Sequence, residues 1–215
     1  MTIARLTGYR LSAYTWAARL ALCEAGAAFE QREADPFTPE GQVLLAPLRP
    51  FGRVPLLEHD GFAIWETAAI LEYVDGAFAD GALVSSGARA RARMRQVIGI
   101  VDAYGYWPMV RQVFSERVFA PFEGRAADEA AIAQGMARAA PVLGALEQIA
   151  AEGLTLAPGR ADLASCHFLP MAAYFVMAPE GRRAMEAHPA LMAWYEGQAG
   201  REAVLRTRPD FAALI

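Results

Sequence analysis

The chain has 215 residues, 55% hydrophobic and 20% charged, a globular composition with enough apolar residues for a sizeable core, which excludes a disordered chain. Twenty basic residues against 24 acidic ones leave a formal charge of −4, which argues against a nucleic-acid partner, since phosphate binding is dominated by basic patches. Cys23 and Cys166 lie far apart and form no CxxC pair, so no disulfide framework is expected and a reduced, cytoplasmic chain is.

"MTIARLTGY" has no continuous apolar stretch of the signal-peptide kind, and no apolar run approaches the roughly 20 residues of a spanning helix, so no membrane partner is expected. "IARL" is a short strand candidate, with Tyr9 to Leu11 as the loop after it. From Ala13 the apolar positions Trp16, Ala17, Leu20 and Ala21 recur at helical spacing until Gly26 ends the run. Ser12 precedes this helix. Its hydroxyl either caps the helix or, with the positive helix end behind it, points at an anion.

"AFEQREA" alternates weakly and reads as a second strand. "TPEGQVLLAPL" allows a short irregular helix with Thr38 as N-cap and Pro39 at its first position. In "RVPLLEHDGFAIWE" two apolar runs flank His59-Asp60-Gly61, and Asp-Gly is a strong hairpin signal. "ETAAILEYVDGAF" then has the helical spacing of Ala69, Ile70, Tyr73 and Val74.

After a linker at residues 81–87 the β signals vanish. Residues 88 to about 117 read as one long helix stressed at Pro108, with Arg89, Arg91, Arg93 and Arg95 spread around it as a solvated or interface face. Asp128 to Ala150 reads as another helix, kinked or divided at Pro141, and Asp162 to Met177 as a buried one bent near Pro170. "PEGRRAMEAH" and "PALMAWYEGQAG" are two shorter helices, each opened by proline. The expected architecture is an α/β domain over residues 1–80 and an all-helical domain over 88–215.

Two places in this pattern carry chemistry. Pro55 sits in an apparent strand, where it protects an edge or forms a cis bond that exposes the preceding backbone to a ligand; its position favours cis. Glu66 and Thr67 stand at the start of the third helix. They are either an N-terminal acid with a threonine cap, or a receptor in which Glu66 pairs with an ammonium group and Thr67 and the helix N–H groups take a carboxylate.

"LTGYRLSAYTWAARLAL", "PFGRVPLLEHDG" and "ETAAILEYVD", in that order and spacing, resemble the N-terminal half of cytosolic glutathione transferases, and the helical half resembles that family's second domain. Ser12, followed by Trp16 and Arg19, is most similar to serine-type members, of which the zeta class is the nearest, although Ala13-Tyr14 departs from the zeta pattern. The resemblance implies a thioredoxin-like first domain with Pro55 cis, and glutathione as co-substrate with no metal. It implies Val54 main-chain bonds to the glutathione cysteine, and Glu66 and Thr67 on the γ-glutamyl end. Arg53 matches the family's basic position, and a homodimer is implied, with Phe37 a candidate contact.

Ser12 would then donate to the glutathione sulfur and favour the thiolate, with Tyr9 as the competing hydroxyl. The electrophile would sit between the domains, against Tyr14, Tyr104, Trp107 and Arg111. Cys23, about three turns into the helix, reads as a core residue, which disfavours mixed-disulfide chemistry. Two departures from the family pattern stand out. Thr67 replaces the usual serine but keeps the hydroxyl. Gly159 replaces the Ser or Thr of the [ST]-x-x-D helix start, which leaves Asp162 without its reciprocal cap.

His59, His167 and His188 form no ligand cluster, and HExxH, GxSxG and phosphate-cradling glycine loops are absent. The expected function is a glutathione transferase with a small hydrophobic electrophile, by conjugation or isomerisation. The alternative is a non-catalytic member of the same fold that binds glutathione or a partner protein.

Overall fold

The computed structural model describes residues 3–46 and 51–211, which fall into two compact units. Pro47 and Leu48, at the end of the anticipated second helix, and Pro50, the first residue of "PFGRVPLLEHDG", lie outside the described residues.

The first unit, residues 1–84 with 202–209, is built on a four-stranded sheet in the order β2-β1-β3-β4. β1 (Ala4–Gly8) pairs parallel with β2 (Phe29–Glu33). A parallel pair needs a crossover, and α1 (Ala13–Glu24) supplies it, burying Trp16, Ala17, Leu20 and Ala21 as their spacing predicts. β3 (Leu56–His59) runs antiparallel to β1, and β4 (Phe62–Trp65) antiparallel to β3. The hairpin turns on Asp60 and Gly61, both at positive φ (50° and 77°), as a two-residue type I′ turn requires.

α2 (Pro39–Leu44) opens as expected, with Thr38 Oγ1 accepting the Gly41 amide and Pro39 in its first turn. α3 (Thr67–Val74) packs beside α1 and widens into an i→i+5 turn over Asp75–Ala79. One carboxylate oxygen of Asp75 then accepts the Leu83 amide at 2.7 Å. The arrangement is thioredoxin-like, as expected.

The second unit is all-helical. α4 (Ala88–Ile100) leaves Arg89, Arg91 and Arg95 exposed, while Arg93 forms a bidentate pair with Glu152, both bonds at 2.7 Å. The helix does not break at Pro108. It winds on through wide turns over Val101–Gly105 and Trp107–Phe119 and closes with α5 (Ala120–Phe122). In these turns the Tyr106 amide reaches the Val101 carbonyl and the Ala120 amide the Ser115 carbonyl, so the ladder tolerates a residue with no N–H to give. α6 (Glu129–Ala151) is likewise unbroken through Pro141, whose ring lies on the solvent side. There water can take up the carbonyl that the proline orphans. Gly135 lets α6 approach its neighbour closely: a Cβ there would stand 2.8 Å from the Gln112 Cβ.

α7 (Leu163–Phe175) is the buried central helix, with Pro170 inside it. Its N-cap is Asp162, which accepts the Ser165 amide at 2.8 Å. The reciprocal cap that Gly159 cannot supply is replaced from further back: the Thr155 hydroxyl donates to the other Asp162 oxygen at 2.8 Å. α8 (Pro179–Glu186) and α9 (Pro189–Ala199) follow as read. Arg117 joins Glu129 and Glu180, each in the first turn of its helix, and its bonds to Glu129 hold that carboxyl below the usual range.

A last helix, α10 (Glu202–Thr207), has no counterpart in the sequence reading. It belongs to the first unit and packs on α1, where the Trp16 indole N–H donates to Thr207 Oγ1 at 3.1 Å. Among the described residues no helix is long and apolar enough to cross a membrane.

Candidate active site

Strand register brings the anticipated residues of the first unit to one end of the sheet. Gly8 ends β1 one pair beyond Thr7↔Leu56, Leu56 opens β3, and Leu56↔Trp65 closes the β3–β4 ladder. Everything flanking those residues lies at this edge. Tyr9 to Ser12 follow β1, Val54-Pro55 precede β3, Glu66-Thr67 follow β4, and α1 and α3 both begin here. Two helix N-termini at one edge, each with N–H groups free of intrahelical partners, form an anion-binding environment.

Ser12 is the N-cap of α1, with φ −70° and ψ 126°. Its Oγ accepts the Thr15 amide at 3.2 Å. The hydroxyl proton has no acceptor among the described residues, so capping and donation are compatible. Tyr9 is half-buried, its ring edge-on to that of Phe37 at a centroid distance of 6.5 Å. Tyr14 lies half-buried in the first turn of α1. Arg10 ties the loop to the strand through its amide, which donates to a Glu33 carboxylate oxygen at 3.0 Å. That tether was not legible in the sequence, because the two residues lie far apart in the chain and have no periodic relation.

The Val54–Pro55 bond is cis, as the pattern led us to expect. Val54 stands outside the β3 ladder, which begins at Leu56, and its side chain is half-buried. Arg53 is exposed and its guanidinium has no partner among the described residues.

At the next element the structure corrects one of the two readings. The cap position of α3 is Glu66, not Thr67, and the Glu66 side chain makes no capping hydrogen bond. Its carboxylate is exposed and has no partner among the described residues. The first amides of α3 therefore have no side-chain acceptor among the described residues. Thr67 is buried in the first turn, 6% exposed. Glu66 sits at φ 66° and ψ 114°, a costly conformation for a residue with a side chain and one found disproportionately at ligand sites.

The remaining candidates lie in the second unit. Tyr104 (67% exposed), Trp107 (56%) and Arg111 share the exposed side of the wide-turn helix, while Gly105, Pro108 and Gln112 face inward. Cys23 is half-buried rather than a core residue, and burial pushes its thiol pKa up, which makes it a poor nucleophile. His167 is buried and bonds Asp102 at 2.8 Å. Among the described residues no group of His, Cys, Asp or Glu could hold a metal ion.

Comparison with known proteins agrees with this fold. Residues 4–76 match the family model "Glutathione S-transferase, N-terminal domain", and residues 129–197 match "Glutathione S-transferase, C-terminal domain". The chain belongs to the glutathione S-transferase family. It is 29% identical over 204 residues to glutathione S-transferase 4 of Zea mays, covering 93% of this chain and 89% of that one. It is 28% identical over 197 residues to glutathione S-transferase F14 of Arabidopsis thaliana, covering 89% and 77%. A solved structure of glutathione S-transferase-I, bound with lactoylglutathione, superposes over 100% of both chains with a TM-score of 0.80 at 21% identity. These relatives give no support to a zeta-like placement; they point to the plant F series instead.

Proposed function

We propose that this glutathione transferase activates its co-substrate through Ser12, with Tyr9 as the second hydroxyl at the same sheet edge. The observation that carries the reading is the unused proton on the Ser12 hydroxyl at the N-terminus of α1. A thiol placed there gains a charge-assisted hydrogen bond and the helix dipole when it ionises. A pKa lowered by about two units needs roughly 2.7 kcal/mol of preferential stabilisation, within reach of those two effects together.

The rest of glutathione suits the other groups at the edge. Val54 would offer its main chain to the cysteine. The free Glu66 carboxylate suits the γ-glutamyl ammonium, the uncapped amides of α3 with Thr67 suit its carboxylate, and Arg53 suits a further carboxylate. In the helical unit, the exposed Tyr104, Trp107 and Arg111 suit contact with a small hydrophobic electrophile, and in the first unit Tyr14 does. In class the chain stands with the plant F-series (Phi) enzymes.

Absorbance of the bound thiolate against pH tests the activation. Wild type should ionise glutathione well below the free thiol, and Ser12→Ala should lose that shift. If the lowered value survives in Ser12→Ala and disappears in Tyr9→Phe, the assignment passes to Tyr9. Cytoplasmic residence and a homodimer, with Phe37 (73% exposed) as a contact, complete the proposal. Light scattering should give about twice the 23.3 kDa chain mass, and a monomer would refute the dimer.

A further inference from the structure

Tyr9 to Ser12 form a tight turn, closed by the Ser12 amide donating to the Tyr9 carbonyl at 3.0 Å. Its tip, Arg10, is exposed, while the next residue, Leu11, is buried (7% exposed) and anchors the Ser12 side of the turn in the core. The tip itself is held by polar bonds, one on each side. Its amide donates to Glu33 at 3.0 Å, and its carbonyl accepts from the Nη2 of Arg19 at 3.1 Å. The Nη1 of the same guanidinium reaches the Gln31 side-chain oxygen at 3.4 Å. Arg19 is about two turns past Ser12 on α1, hence on the same side of the helix, and its long stem brings the head back to the turn. Gln31 and Glu33 alternate on β2 and so project from one face of it. One guanidinium thereby ties the turn both to the helix that Ser12 caps and to the edge of the sheet.

We propose that Arg19 is a positioning residue for the Ser12 hydroxyl, a role that rests on Ser12 being the donor to the glutathione sulfur. The Thr15 amide engages one lone pair of Oγ but does not fix where the turn places that oxygen. Buried Leu11 anchors the backbone next to Ser12, and the Arg19–Arg10 bond completes the hold by fixing the carbonyl two residues ahead of Ser12. Misplacement of a reacting group by about 1 Å can cost roughly a hundredfold in rate, so a loosened turn reads out as lost activation. The fork of the guanidinium matters, since only arginine reaches two acceptors in fixed geometry.

The test compares wild type, Ser12→Ala, Arg19→Met and Arg19→Lys by thiolate absorbance of bound glutathione against pH, with kcat, KM for glutathione and thermal melting on the same samples. Methionine keeps much of the stem packing and removes the donors. Arg19→Met should raise the bound thiol pKa by about one unit and lower kcat about tenfold, with KM changed less than about threefold. Arg19→Lys, able to make one of the two bonds, should fall between Arg19→Met and wild type. If Arg19→Met fails to fold, Arg19→Lys decides alone. A bound thiol pKa equal to wild type in the folded Arg19 variant, with the shift lost in Ser12→Ala, overturns the role of Arg19 and leaves Ser12 in place. An unchanged pKa in Ser12→Ala overturns the Ser12 reading, and the Arg19 proposal with it.

Discussion

Ser12 Oγ has two lone pairs and one proton, and the Thr15 amide engages one lone pair. Its two roles separate by substitution. Aspartate at position 12 is as good a cap as serine and adds favourable charge at the positive helix end, but it has no proton to donate and repels a thiolate. Ser12→Asp should therefore melt at or above the wild-type temperature while losing kcat/KM about a hundredfold or more, the scale seen when one oxyanion donor is removed. Ser12→Ala should lose the activity and also about 1 kcal/mol of stability with the cap. An active Ser12→Asp enzyme would exclude hydrogen-bond donation from Ser12. The strained Glu66 belongs to the same scale. Its acidity at a helix start was legible in the sequence, but its positive φ and uncommitted carboxylate were not, because both depend on how β4 hands the chain to α3.

Among the elements, the start of α7 shows how a missing motif residue is replaced. Asp162 caps Ser165 and accepts the Thr155 hydroxyl, all within the core. Asp162→Ala removes the cap and orphans a buried hydroxyl, for an expected loss of about 2–4 kcal/mol in chemical denaturation. Restoring the family residue should not help. Gly159 sits at φ 71°, so Gly159→Ser forces a side chain into the left-handed region and should cost about 1 kcal/mol. A stabilised Gly159→Ser protein would show that the serine hydroxyl can still reach α7. Pro108 and Pro141 teach the complementary point. Proline is a strong local breaker, yet both helices run through it, because wide turns in one and a solvated face in the other absorb the lost donor.

At the scale of the molecule, the chain returns to its beginning. α10 follows the helical unit but packs on α1, and the Trp16–Thr207 bond joins residues 191 positions apart. Trp16 is 1% exposed, so its indole N–H has no water to fall back on. Thr207→Val, nearly the same shape, should cost about 1–3 kcal/mol and change the environment of Trp16, seen as a shifted tryptophan emission. Unchanged stability would mean that the indole finds another acceptor.

The order of strands and helices through α9, the Asp60-Gly61 hairpin, the caps at Ser12, Thr38 and Asp162, and the ordered motifs that resemble the family's glutathione site were all legible in the sequence alone. Each is written within a few neighbouring residues, where backbone preference and side-chain reach act directly. Other features were decided only in three dimensions: the meeting of Tyr9, Ser12, Val54 and Glu66 at one sheet edge, the Arg19 and Glu33 tethers of the turn, the substitution of Thr155 for a missing cap, and the docking of α10 on α1. These join residues with no fixed spacing, whose contacts are set by sheet register and helix packing, and such contacts leave no periodic trace in a chain.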